Sequence, residues 1–344
     1  MAPTTRADLV LSGGGVKGIG LVGAVAALVD GGHLPQRISG TSAGALVGAV
    51  LAAAVHAKRV DADELKSIAM RIDYRALLDP GLVERIPILG PVWGVASGGG
   101  VYRGEALRDW VAEQLADYRV TTFADLRIAD RSLPPEQRYR LVVTVADVTL
   151  GQLVRLPWDY QRVYGLDPDR QLVADAVRAS TAIPFFYRPV TLTHADGTTS
   201  TLVDGGLLSN FPIDSLDRVD GKVPRWPTFG VTLLPNLPAE NAQVIPALRP
   251  LRALGAPTLL EQVVTTMLVG RDQAHLNQPW VSARTIRVDT TDVGVLDFDL
   301  SDADKLALYD KGVAAGRDFL ATWDFDAYTS RFRQPLNPGP RRRR

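Results

Sequence analysis

Two glycine-flanked junctions within the first 45 residues constrain the fold of this chain more than any other feature. Asp8 to Ser12 reads as a short buried strand. It runs into Gly13-Gly14-Gly15-Val16-Lys17-Gly18, and an apolar helix extends from there as far as Asp30. Arg37 to Thr41 reads as a second strand, and only Ser42 separates it from the apolar stretch Ala43 to Ala57. Two strand-loop-helix units in succession predict right-handed crossovers and a parallel sheet. The Ala43 to Ala57 stretch is too short to cross a bilayer. It is apolar all round, as a helix buried in the middle of a fold would be.

Asp61 and Glu64 form a capping pattern for a third helix ending near Ile72. Further strands are expected at Tyr139 to Asp147, Gln152 to Pro157, Thr201 to Val203 and Thr228 to Leu233, with helices at Gln171 to Ala179 and Ser301 to Ala321. No repeat or interdomain linker breaks the pattern. One domain is therefore expected over residues 1–333, with a Pro/Arg-rich, solvated tail over 334–344 that ends in Arg341 to Arg344. Between Leu77 and Val101 an apolar stretch punctuated by Gly and Pro fits neither period. A loop of that length inside a compact domain reads either as a lid or membrane-contact surface, with Leu89 and Trp93 at its centre, or as additional core.

Composition narrows the chemistry. Lys+Arg and Asp+Glu both number 38, so no excess charge is directed at nucleic acid. Cysteine is absent, which removes disulfides, thiolate metal sites and a thiol nucleophile and leaves hydroxyls and lysine. The first twelve residues lack the apolar core of a signal peptide, so a cytoplasmic location is expected.

Gly40-Thr41-Ser42-Ala43-Gly44 fits the G-x-S-x-G nucleophile elbow and sits between a strand and a helix, where that motif has a mechanical basis. The flanking glycines let the turn pass close to its neighbours while the serine hydroxyl projects above the sheet. Gly13 to Gly18 also satisfies G-x-G-x-x-G, but the second strand ends in Ser39-Gly40-Thr41-Ser42 without the acidic residue that a dinucleotide ribose needs. Three bare glycine amides suit an oxyanion better. Lys17 adds a positive charge there or, more blandly, is a solvated helix-start lysine. Asp204-Gly205-Gly206 comes directly after a strand; a carboxylate on a neighbouring parallel strand would stand where ligands bind and could serve as the serine's base. Of four histidines, His33, His56 and His194 mark no site. His275 would complete an α/β-hydrolase order Ser42, Asp204, His275, but only one strand and one helix precede the elbow, so a Ser-Asp dyad is preferred.

Together the three glycine-rich blocks resemble the signature blocks of the patatin-like phospholipase family in order and spacing. Ala179-Ser180-Thr181-Ala182-Ile183-Pro184 resembles the segment before that family's aspartate strand, and Asn210 with Pro212 resembles the segment just after the aspartate. The similarity covers most of residues 8–213. It implies a three-layer α/β/α fold with a mainly parallel central sheet, and lipid acyl hydrolysis of phospholipase A or lysophospholipase type with no cofactor or metal. It also implies Ser42 as nucleophile, Asp204 as base, and an oxyanion hole from the Gly13, Gly14, Gly15 and Lys17 block. Gly40, Gly44, Gly205 and Gly206 are then motif glycines. Lys17 stands where many members carry arginine; it keeps the charge and loses the planar fork. The implied partner is a lipid or phospholipid, met by peripheral membrane contact. The remaining alternatives are a Ser-Asp-His esterase or acyltransferase, a nucleotide-binding module and a non-catalytic lipid-binding protein.

Overall fold

The computed structural model describes residues 5–79, 100–234 and 273–333. The first strand, β1 (Thr5–Leu11), leads through a single 3-10 turn into α1 (Gly18–Asp30); β2 (His33–Thr41) leads into α2 (Ala43–His56) and α3 (Ala62–Arg71). The capping pattern at Asp61 is realised, its carboxylate accepting from the Glu64 N–H at 2.9 Å. Then come α4 (Glu105–Ala116), the hairpin β3 (Leu141–Asp147) and β4 (Gln152–Leu156), α5 (Trp158–Tyr164), α6 (Val173–Ser180), β5 (Val190–Thr193), β6 (Thr199–Asp204), β7 (Thr228–Leu234), β8 (Thr285–Asp289), α7 (Asp302–Thr322) and α8 (Phe325–Phe332).

These strands form one sheet in the order β5-β6-β3-β2-β1-β7-β8, with β4 also paired to β3. The pairings β3-β2, β2-β1, β1-β7 and β7-β8 are parallel, as two successive crossovers require, whereas β4, β5 and β6 pair antiparallel. Both faces of the sheet are covered, which is why its central strands read as nearly unbroken apolar runs. Along β1, Leu9 and Leu11 join the main core with α1, α2 and α6, while Val10 between them packs with Val142, Phe211, Ile213 and Leu216 on the opposite face. The result is the three-layer α/β/α fold with a mainly parallel sheet.

Residues 80–99, most of the expected lid and including Leu89 and Trp93, lie outside the described residues, as do 334–344. The chain on either side of 80–99 is fastened: the Asp79 carboxylate accepts from the Gly104, Glu105 and Ala106 amides at 2.6, 2.8 and 3.1 Å, capping α4. Among the described residues no helix is long and apolar enough to cross a membrane.

Candidate active site

Three strands set the position of Ser42 and Asp204. Thr144 of β3 pairs with Thr41 of β2 and with Arg155 of β4; Val145, the next residue, pairs with Asp204 of β6 and with Val154 of β4. A strand has two edges, so β4 takes one and β2 and β6 share the other, end to end. The two therefore run towards each other along β3, and each stops where the other does. Ser42 is the first residue past the end of β2 and Asp204 is the last of β6, so the hydroxyl and the carboxylate meet tip to tip. This corrects the expectation of a neighbouring parallel strand: β6 is antiparallel, and only in that direction could its C-terminal end face the elbow.

Ser42 has φ 53° and ψ −120°, a region that side-chain-bearing residues rarely occupy. Close packing on both sides accounts for its glycines. A Cβ on Gly40 would overlap the Gly44 carbonyl, and one on Gly44 would overlap the Leu11 carbonyl at the end of β1. Gly205 is equally confined, against the Thr144 carbonyl and the Thr41 side chain. The turn it makes allows the Gly206 N–H to donate to Asp204 Oδ1 at 2.8 Å.

Asp204 is wholly buried. Its Oδ2 has no hydrogen-bond partner of ordinary geometry among the described residues. Burial raises its pKa from 3.8 to about 7, opposed by the nearby Ser42 side chain and by the Gly206 N–H. No cation among the described residues acts on it. The carboxylate thus has one committed oxygen, one open oxygen and a proton affinity near neutrality.

The glycine loop divides its amides. Gly13 N–H donates to the Asn210 carbonyl at 3.1 Å, so Gly13 is spent on holding the loop to the segment after Asp204, whereas the Gly14 and Gly15 amides have no acceptor among the described residues. Lys17 is not a solvated helix-start residue: its side chain is buried and Nζ donates to the Thr290 carbonyl at 2.9 Å, just past β8. Burial lowers its pKa to about 8, while Asp292 and Asp289 hold it up. Lys17 thus fastens the loop to the far side of the sheet.

Two residues outside the predicted set join the site. Ser42 N–H donates to Ser180 Oγ at 2.9 Å, which donates to the Thr144 carbonyl at 2.7 Å, and Asn210 Nδ2 reaches the Gly13 carbonyl at 3.4 Å. Both lie in segments the sequence marks only by resemblance. No histidine is bonded to Ser42 or Asp204 among the described residues: both ring nitrogens of His194 are engaged by Thr198 and Ser200 at 3.0 and 2.9 Å, and His33 packs edge-on against Phe229. Nor do three or more His, Asp or Glu side chains gather as a metal ion would require among the described residues.

Comparison with known proteins agrees with this geometry. A family model described as patatin-like phospholipase matches residues 9–217, a span that includes all three glycine blocks. Over 325 residues the chain is 34% identical to the uncharacterized protein YqhO of Bacillus subtilis (strain 168), covering 92% of this chain and 99% of that protein. The crystal structure of VipD from Legionella pneumophila shares the fold, with a TM-score of 0.51 at 19% identity over 93% of this chain and 67% of that one. With more than half of its length matched and its glycine blocks assembled around one serine, the chain belongs to the patatin-like phospholipase family.

Proposed function

We propose that this protein is a serine lipid acyl hydrolase of phospholipase A or lysophospholipase type that works through a Ser42-Asp204 dyad. The observation that carries the reading is the state of Asp204: buried, and among the described residues without a cation and with one acceptor oxygen open, beside the only elbow serine in the sequence. A free carboxylate is a poor base for an alcohol. Raising its pKa from 3.8 to about 7 narrows that gap by about 4 kcal/mol.

In the first half-reaction Asp204 accepts the Ser42 proton as Oγ attacks the ester carbonyl, and the oxyanion is held by the Gly14 and Gly15 amides. Expulsion of the alcohol returns the proton from Asp204 to the leaving oxygen and leaves an acyl group on Ser42. Water, deprotonated by Asp204, then attacks the acyl carbonyl, and the fatty acid departs as Ser42 regains its proton. Two amide donors acting only on the developing charge supply about 10²–10³ in rate each where such donors have been removed one at a time. Sequestering Asp204 from water keeps it a base; a cation beside it would undo that.

The test is product analysis on a mixed panel of phospholipids, lysophospholipids and neutral lipids, with labelling by a fluorophosphonate probe. Fatty acid release and a label on Ser42, both lost in Ser42→Ala, are the expected result. Release that survives Ser42→Ala overturns the assignment of the nucleophile, and an enzyme that neither labels nor releases fatty acid from any member of the panel overturns the hydrolase reading.

A further inference from the structure

The end of α6 contacts the backbone of both dyad residues. Ser42 N–H donates to Ser180 Oγ at 2.9 Å, and two residues later the Ala182 carbonyl accepts from Asp204 N–H at 2.9 Å. Ser180 Oγ itself donates to the Thr144 carbonyl at 2.7 Å, on the β3 residue paired with Thr41 and adjacent to the one paired with Asp204. All of these groups are buried; Ser180 and Thr144 are entirely enclosed. We propose that Ser180 is a positioning residue for the nucleophile, and that residues 180–182 act as the spacer that sets Ser42 against Asp204. The inference rests on the dyad reading given above.

Two facts about Ser42 explain why a spacer is needed. Its backbone lies at φ 53°, where a serine is strained and will relax unless its surroundings hold it. Its amide also lies outside the α2 hydrogen-bond ladder, as an N-cap amide does, and would be buried without an acceptor if Ser180 were absent. One hydroxyl answers both needs, because it accepts from the strained residue and donates to the strand that registers the base. The same bond commits the Ser42 amide, which therefore does not serve as an oxyanion donor. Neither β2 nor β6 can set the separation alone, since they meet end-on and are not paired with each other.

The consequence is a loss of rate that a simple packing role would not produce. In Ser180→Ala, kcat and the rate of fluorophosphonate labelling of Ser42 should fall together, by roughly ten- to a hundredfold, with KM within about twofold of wild type. Ser180→Thr, which keeps the oxygen, should recover most of that rate. Hydrogen exchange in the unmodified enzyme gives a readout independent of activity: the Ser42 amide should be protected like the core strands, and in Ser180→Ala its exchange should speed up by at least about tenfold more than that of neighbouring β2 amides. Wild-type labelling kinetics in folded Ser180→Ala would overturn the proposal, and so would a rapidly exchanging Ser42 amide in wild type, a result that does not depend on the variant folding. If the wild-type enzyme does not label at all, the dyad reading fails, while protection of the Ser42 amide still reports on the spacer.

Discussion

Three buried aspartates lie on strands of the central sheet, Asp8, Asp147 and Asp204, and the first and last of them are treated in opposite ways. Asp8, in the middle of β1, is almost completely enclosed, and burial pushes its pKa up, opposed chiefly by Arg37 and also by the Trp226 side chain: the Arg37 N–H and Nε each donate to it at 3.1 Å, and Nη2 donates at 2.5 Å. The same Nη2 reaches the Leu216 carbonyl at 2.8 Å, so the guanidinium is itself satisfied. Asp204, at the end of β6, is as deeply buried and, among the described residues, receives only the Gly206 N–H and the proximity of Ser42. A carboxylate with both oxygens occupied, one of them by a guanidinium, holds structure together, whereas one left with an open oxygen and no cation among the described residues is held ready for a proton. Burial alone does not distinguish them; what each carboxylate is paired with does.

The sharpest way to break this contrast is to neutralise each aspartate in turn. Asp204→Asn should lower kcat by about 10²–10⁴-fold, the usual range for loss of a general base. It should nevertheless not weaken the fold. Because the folded-state pKa of Asp204 lies near 7, above its unfolded value of 3.8, the stability associated with the protonated carboxyl is complete below about pH 4 and is lost as pH rises through 7. Asparagine does not titrate. The variant should therefore gain on wild type between pH 4 and 7, by up to about 4 kcal/mol, and keep that lead at higher pH. Asp8→Asn should do the reverse, losing stability while the folded enzyme turns over normally. Urea denaturation across pH, with kcat measured on the folded protein, checks both, and a destabilised Asp204→Asn would erase the distinction.

Next in size is removal of the cation. Arg37→Met leaves Asp8 enclosed without its partner and should cost about 3–5 kcal/mol, with kcat unchanged in the protein that remains folded. The loss should shrink as pH falls, since an orphaned Asp8 can take up a proton. A cost that is flat with pH would mean that the guanidinium contributes mainly by packing.

The elbow is legible in the sequence because its glycines are dictated by backbone contacts made within the first two strands and their helices. Gly44 faces Leu11, and Gly40 faces Gly44. The direction of β6 is not, because Thr-Leu-Val-Asp reads the same in a parallel or an antiparallel strand; its partner β3 settles the matter from more than fifty residues away. The burial of Lys17 is hidden for the same reason, its acceptor Thr290 being 273 residues distant. The edge strands β5 and β8 escape detection since each is short, and β5 is half-exposed with an alternation too brief to distinguish from a loop. Ser180 gives no chemical signal at all: a serine at the end of a helix is ordinary until the strained residue opposite it is known.

The pH profile of turnover sharpens the contrast further, with a smaller effect. If Asp204 must be ionised to accept the Ser42 proton, kcat/KM should rise about tenfold per pH unit on the acid side and level off above about pH 7, the value to which burial raises this carboxyl. Asp8→Asn should leave the position of that limb unchanged, because among the described residues Asp8 does not act on Asp204. A limb near pH 4 would show that Asp204 is solvated during turnover.

The smallest effect comes from repeating the Asp8-Arg37 pairing at the surface. Arg75 Nε lies 2.6 Å from Asp299 Oδ1, about as close as the buried pair, but the two side chains are 72% and 68% exposed. Water already solvates both groups, so forming the pair gains little and ordering two long side chains takes most of that away. Arg75→Ala should therefore cost less than about 1 kcal/mol in urea denaturation at low salt. Raising the ionic strength should reduce even that, because exposed charges are screened, while leaving the cost of Arg37→Met unchanged. Equal salt dependence in the two variants would mean that Asp8 and Arg37 see solvent. The difference between the two aspartates would then lie in their exposure and not in their partners.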